Sequence, residues 1–389
     1  MPRLRFPGFE GEWKFVPFGS IIRETNLRTN IENEDILLSA AIEGMFLNSE
    51  LFDHQRGASN KGYKKIKLRT LVLSTQNLHL GNANVNLRFE HGIVSPAYKT
   101  YEVVGCDPVL LGQWVKTGKA KKFFFDATAV GASVCRRNVE WDTLYQQQLC
   151  LPTENEQHKL ADFLSLLTDR ISSQQRLVEL LKKHKRGLHS AIFGQKCRVV
   201  NADGKPCPAW RQVRIGDIFQ ERSERGGTAD ELLSVTINNG VKRQADTDKK
   251  DSSSEDKSNY KKVLPGDIVY NTMRMWQGAS GVSPWAGIVS PAYTVIYPRD
   301  RQNTTFWAYA FKYWRLIQEF QKFSQGLTSD TWNLKYPQLS DIRVYEPSMD
   351  EQEAIVDILS MLDERVSAAE QELNKMRNLK SGLLQQLFV

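Results

Sequence analysis

The chain lacks any run of about 18 apolar residues, so no stretch reads as a membrane-crossing helix. Cysteine is sparse and odd in number: Cys106, Cys135, Cys150, Cys197 and Cys207. No C-x-x-C pair begins a zinc site, and reduced thiols in a cytosolic protein are expected. The opening residues Met1-Pro2-Arg3-Leu4-Arg5 have no apolar core, so no secretory leader is expected there. The histidines are scattered, without an H-E-x-x-H pair. Gly112 to Lys119 is one residue too long for a P-loop, and Ala120 stands where Ser or Thr would hold Mg²⁺. Glu255-Asp256-Lys257 has the look of a nuclease tail without a well-placed partner carboxylate. No catalytic constellation is left. The sequence predicts a protein that acts by binding, with no metal and no cofactor.

What is present is size, a modest positive charge and repetition. At 389 residues the chain exceeds one typical domain, and two or three are expected. A hydrophobic content of 41% supports real cores. The balance of 52 Lys+Arg against 45 Asp+Glu gives +7, which permits a polyanionic partner.

Two stretches organise the rest, Pro152–Phe193 and Pro347–Phe388. In the first, steps of four and three pick out Leu160, Leu164, Leu167, Ile171, Gln174, Val178, Leu181, Lys185, Leu188 and Ile192. The second repeats them 195 residues later, from Ile355 through Leu359, Leu362, Val366, Ala369, Leu373, Met376, Lys380 and Leu383 to Leu387. Such spacing over several heptads predicts helices that pack seam to seam. Thr153 with Glu156, and Ser348 with Glu351, read as capping boxes. Each helix would be roughly 60 Å long at 1.5 Å per residue.

The remainder repeats too. Gly92-Ile93-Val94-Ser95-Pro96-Ala97-Tyr98 returns unchanged at Gly287–Tyr293, and Tyr63-Lys64-Lys65 returns as Tyr260-Lys261-Lys262. Within each copy, Leu71–Leu73, Gly92–Val94 and Asp267–Tyr270 read as short strands. Phe306–Phe323 reads as one amphipathic helix capped by Thr304 or Thr305, and Asp107-Pro108 opens a shorter one. The fold class is therefore α/β (α+β): two globular domains in pseudo-twofold arrangement, separated by two long helices forming an antiparallel coiled coil. The boundaries expected are 1–151 and 195–346 for the globular domains, 152–194 and 347–389 for the helices.

Charge gathers in acid-free runs. His54–Phe89 holds Arg56, Lys61, Lys64, Lys65, Lys67, Arg69 and Arg88, and a second run holds Lys116, Lys119, Lys121 and Lys122. Asn271–Pro298 contains Arg274, Met275, Trp276 and Gln277. Lys and Arg neutralise phosphates; Arg, Gln and Asn also read base edges. Ser95-Pro96-Ala97-Tyr98 and its copy come near the catalytic loop of adenine N6-methyltransferases, but Ala97 and Ala292 replace its second proline.

Taken together, the repeat, the Gly-Ile-Val-Ser-Pro-Ala-Tyr segments, the Arg274-Met275-Trp276-Gln277-Gly278 run and the helix starts at Pro152 and Pro347 resemble one family. It is the specificity (S) subunit of type I restriction–modification systems, HsdS, and the resemblance spans essentially the whole chain. It implies two target recognition domains, each reading half of a bipartite sequence in double-stranded DNA, and helices that set the spacing between halves. It implies docking of two methyltransferase (M) subunits, joined by restriction/translocase (R) subunits, with no membrane partner and no catalysis by this chain. Where the first copy has Asn77-Leu78-His79-Leu80-Gly81, the Arg-Met-Trp-Gln-Gly pattern is lost.

On charge and loop position, the DNA-contact candidates are Lys61, Lys64, Lys65, Lys119, Lys121, Lys122 and Arg136 in the first copy. In the second they are Lys261, Lys262, Arg274, Trp276, Gln277, Ser329 and Thr331. Arg170, Arg176, Arg365 and Arg377, on outward helix faces, are candidates for the M subunits. Two rival readings are a stand-alone adenine N6-methyltransferase and a structural adaptor that holds proteins.

Overall fold

The computed structural model describes residues 4–52, 59–130, 137–200, 207–227, 230–237, 240–247 and 256–388. Arg56, Cys135, Arg136, Glu255 and most of the polar loop between Asp246 and Lys257 lie outside the described residues. The chain divides into two compact units, residues 1–176 with 370–389 and residues 177–369. Among the described residues, no helix is long and apolar enough to cross a membrane, and no group of three or more His, Cys, Asp or Glu is placed to hold a metal ion.

In the first unit an antiparallel four-stranded sheet runs in the order Ile22–Thr25, Tyr98–Val103, Leu71–Ser74, Ala83–Val85. Leu71–Ser74 is buried on both faces. Because side chains alternate along a strand, Leu71 and Leu73 enter the main core with Phe18, Trp114 and Phe124, while Val72 points into a smaller core. That smaller core lies under two antiparallel strand pairs, the hairpin Leu38–Ala40 with Met45–Leu47 and the ladder Lys64–Lys67 with His91–Val94. Two helices, Pro108–Trp114 and Gly118–Asp126, cover the other face. Asp107 caps the first, its Oδ1 accepting from Val109 N at 2.8 Å and Leu110 N at 3.0 Å, with Pro108 in the first turn.

The second unit has the same architecture. Its sheet runs Phe219–Glu221, Tyr293–Pro298, Ile268–Asn271, Ser280–Val282. Ile268 and Tyr270 join the main core, and Val269 the smaller one. The single helix expected over Phe306–Phe323 is two, Thr304–Ala310 and Trp314–Phe323. Asn303 caps the first through Phe306 N (3.2 Å). The break brings Phe311 and Phe320 edge to face at 5.5 Å in one core, which a continuous helix could not do.

The segment repeated without change has a structural reason. Gly92 and Gly287 sit where an added Cβ would collide with Leu38 and with the Glu231 carbonyl, respectively. Beyond them, Ser95–Tyr98 and Ser290–Tyr293 close as turns. A threonine hydroxyl from the neighbouring strand pins each turn, Thr75 to Ala97 O (2.8 Å) and Thr272 to Ala292 O (2.9 Å).

The long helices span Glu154–Phe193 (40 residues) and Met349–Leu387 (39 residues). Every seam position predicted from the heptads is buried or half-buried. Within the first unit, Leu160 and Leu164 share a core with Leu384 and Leu387, Lys380 Nζ donates to Thr168 Oγ1 (2.7 Å), and Arg377 donates to Gln175 (2.9 Å). Within the second unit, Leu188 and Ile192 share a core with Ile355 and Leu359, and Lys185 pairs with Asp363. In each unit the two segments run antiparallel.

Of the two expected capping boxes, half of the second is made among the described residues. Ser348 Oγ accepts from Glu351 N (3.4 Å), but both glutamates turn inward onto arginines. Arg5 grips Glu156 at 2.9 and 2.7 Å, and Arg198 grips Glu351 at 2.8 and 2.9 Å. A two-pronged guanidinium satisfies a buried carboxylate better than one backbone N–H. The adjacent Gln157 and Gln352 donate to the Pro152 and Pro347 carbonyls and accept from the backbone N–H of the helix caps Asp107 and Asn303.

Candidate nucleic-acid interface

In the first unit three lysines gather on one short helix. Gly118–Asp126 buries Ala120 and Phe124, four residues apart and so on one face. Lys119, Lys121 and Lys122 consequently face outward, all exposed and without an ion pair among the described residues. Three lysines in the opening turns, with no acid there, oppose the positive end of the helix dipole. A locally unfavourable choice of this kind suits an anionic partner. Lys61 is exposed in the turn before Lys64–Lys67. Lys64 is buried at 5% exposure in its strand, and burial lowers its pKa. Lys65 is held by Glu34. Arg136 lies outside the described residues.

In the second unit the charge sits on a turn. Met275–Gln277 forms a 3-10 turn anchored by buried Met275 and closed by Gly278 at φ 79°, a left-handed conformation that suits glycine. Arg274 is exposed, with no ion pair among the described residues, and Gln277 is half-buried beside it in sequence. Trp276 is fixed twice: Nε1 donates to Met273 O (3.1 Å), and its ring meets Trp332 edge to face at 5.2 Å. Lys261 is paired with Glu221 (3.1 Å) and Lys262 with Glu224 (3.4 Å). Thr331 spends its hydroxyl on Thr328, accepting from N (3.2 Å) and donating to O (3.0 Å), while Ser329 is exposed in the same loop.

The first unit keeps this turn although its sequence differs. Leu78–Leu80 is again a 3-10 turn, Leu78 is buried, and Gly81 closes it at φ 93°. Asn77 is exposed and His79 half-buried where Arg274 and Trp276 stand in the second.

Sequence reading passed over the lysines beneath these turns. Lys116 Nζ donates to Ile42 O (2.7 Å) and Ala83 O (3.0 Å), and contacts Asn84 Oδ1. Lys312 Nζ donates to Ile237 O (3.0 Å) and to Gly278 O. Burial lowers both ammonium groups to about 8, and their protons go to these oxygens: Lys312 holds the turn at Gly278, and Lys116 holds the strand that follows the turn, at Ala83. Their matching place in the repeat, just after Trp114-Val115 and Ala310-Phe311, was the available signal. On the long helices, Arg170, Arg176 and Arg365 are exposed without an ion pair among the described residues, whereas Arg377 is engaged by Gln175.

Residues 209–377 match the family described as the type I restriction modification DNA specificity domain. No curated protein matches the chain. Three solved structures are similar over nearly its full length. The S subunit of a type I restriction–modification system from M. genitalium is 14% identical, with 100% of this chain and 99% of that one covered and a TM-score of 0.59. A chain solved for complex assembly and conformational transition of the type I R-M system is 16% identical, with 97% and 98% covered and a TM-score of 0.55. HsdS from Thermoanaerobacter tengcongensis is 15% identical, with 99% and 98% covered and a TM-score of 0.50. At such identities the likeness is one of fold. Residues 209–377 thus carry the type I restriction modification DNA specificity domain, within a chain that has the fold of these solved structures throughout.

Proposed function

We propose that the two units are target recognition domains, each reading one half of a bipartite sequence in double-stranded DNA. The long helices set the gap between halves, and their exposed arginines Arg170, Arg176 and Arg365 dock two methyltransferase subunits, to which restriction subunits join. Residues 1–151 and 195–346 are the reading domains and 152–194 and 347–389 the spacers. The chain itself carries out no methyl transfer; that chemistry belongs to the docked subunits.

One observation carries this reading: the same glycine-closed turn and neighbouring helix occur in each unit, bearing different uncompensated side chains. A shared frame with different solvent-facing chemistry suits two readers of two sequences. Phosphate contacts from Lys119, Lys121, Lys122 and Lys61 would position the first unit, while Arg274 and Gln277 reach base edges in the second. The test is methylome mapping of cells carrying this chain with a cognate methyltransferase. An adenine-modified motif in two parts with a fixed unspecified gap is expected; a continuous motif, or none, rejects the reading. Binding to duplex DNA should also fall steeply with salt, which a protein-holding adaptor would not show.

A further inference from the structure

Leu327 is wholly exposed, at 102% of its reference area, the barest large apolar side chain among the described residues. It does not sit on a frayed end. Gln325 and Asn333 exchange backbone hydrogen bonds (3.0 and 2.8 Å) and close the loop at its base. Inside, Thr331 N and Trp332 N donate to Thr328 O (3.0 and 3.1 Å), and the Thr331 hydroxyl locks the same turn. The base is tied to the Arg274 turn: Trp332 packs on Trp276, and Leu334 N donates to Thr272 O (2.9 Å). An ordered loop therefore holds a bare isobutyl group out from the surface that carries Arg274 and Gln277.

A single exposed leucine is ordinary on a protein surface; this one is set apart by an ordered loop that holds it clear of the chain and is tied at its base to the Arg274 turn. The turn to which the loop's base is tied carries an arginine and a glutamine, side chains that pair with guanine and adenine edges in the major groove. The apolar feature of that groove is the 5-methyl group of thymine. Building on the DNA reading above, we propose that Leu327 is a specificity-determining residue of the second unit, packing against a thymine methyl in its half-site. A wedge between base steps would need a minor-groove approach, which the Arg274–Gln277 chemistry does not favour.

Full-length wild-type chain and Leu327→Ala would each select duplexes from a randomised pool. The variant should lose preference for one thymine in one half of the motif and keep the other half unchanged. Replacing that thymine by deoxyuridine, which removes only the methyl, should weaken wild-type binding about fourfold, the worth of one buried methyl group, and leave the variant's affinity unaltered. Because the side chain touches nothing within the chain, loss of folding is not expected, and an unchanged thermal transition checks it. Identical selected motifs, or a deoxyuridine effect of equal size in both proteins, overturns the assignment of Leu327. A wild-type chain that selects no motif at all overturns the DNA reading itself.

Discussion

The two units carry their free charge in different places on one frame. In the first, three lysines project from Gly118–Asp126, while the turn over Leu78–Leu80 offers Asn77 and His79. In the second, the matching helix Trp314–Phe323 pairs Lys322 with Glu319 (2.6 Å) and keeps one exposed cation, Arg315, over the Trp314 ring, while the turn offers Arg274, Trp276 and Gln277. The frame tolerates this because its own fixings point inward: Leu78 and Met275 anchor the turns, Lys312 holds the second turn at Gly278, and Lys116 holds the strand after the first at Ala83. Surface chemistry can then change without disturbing the fold.

The largest effect should come from breaking the frame. Glu351→Ala removes a fully buried carboxylate from Arg198, which is 31% exposed and keeps the Cys207 and Pro208 carbonyls, and should cost about 1–3 kcal/mol in urea unfolding, the range for losing a charged hydrogen-bond partner. Glu156→Ala removes the equivalent latch and should also lower the unfolding midpoint; a normal midpoint in both variants would mean that the latches are incidental.

Next come the two modes of DNA recognition. Arg274→Ala should weaken binding by about 1–3 kcal/mol and relax selection at one base pair. Replacing Lys119, Lys121 and Lys122 with Ala should instead weaken binding to all sequences alike, lowering the salt slope by about one for each phosphate no longer neutralised. If Arg274→Ala also acts uniformly, the contrast between units disappears.

A smaller difference concerns acid. His189, its Nε2 donating to Tyr309 O (2.9 Å), has its pKa lowered by burial and by Lys185, against the opposing pull of the Tyr309 carbonyl and Asp363. Leu384 stands at the equivalent place in the first unit. With the folded pKa below the ordinary histidine value near 6.5, the unfolded chain binds the proton more readily. Stability from this site is therefore lost as pH falls through that window. His189→Leu should flatten the decline in stability between pH 7 and pH 5; an unaltered slope would show that the imidazole titrates without consequence.

The smallest effect is in the seam. Among the described residues Lys380 has the Thr168 hydroxyl and no carboxylate, and burial lowers its pKa, whereas Lys185 has Asp363, which also receives the Tyr309 hydroxyl (2.7 Å). Lys380→Met should be neutral or mildly stabilising, within about 1 kcal/mol. Lys185→Met should destabilise by a comparable amount. Thermal unfolding of the pair checks the sign, and matching signs would mean that Asp363 adds nothing.

Much of the frame was legible in the residues. The heptads, the strands at Leu71–Leu73, Gly92–Val94 and Asp267–Tyr270, and the Asp107-Pro108 helix start are local patterns, and the structure has them where they were read. Local reading failed where a distant partner decided. Glu156 and Glu351 look like caps until Arg5 and Arg198 arrive from far along the chain. Phe306–Phe323 looks continuous until core packing of Phe311 and Phe320 breaks it. Charge runs treat all lysines alike, yet Lys64 is buried, Lys65, Lys261 and Lys262 are paired, and Lys119, Lys121 and Lys122 are free.

By itself, then, the amino-acid order determined the duplication and the heptad seam, because periodicity and repeated segments survive without any knowledge of contacts. Tertiary structure alone decided which charges remain available to a partner. An ammonium group is free or spent according to the oxygen atoms that folding brings within about 3 Å, and those come from residues far away in sequence.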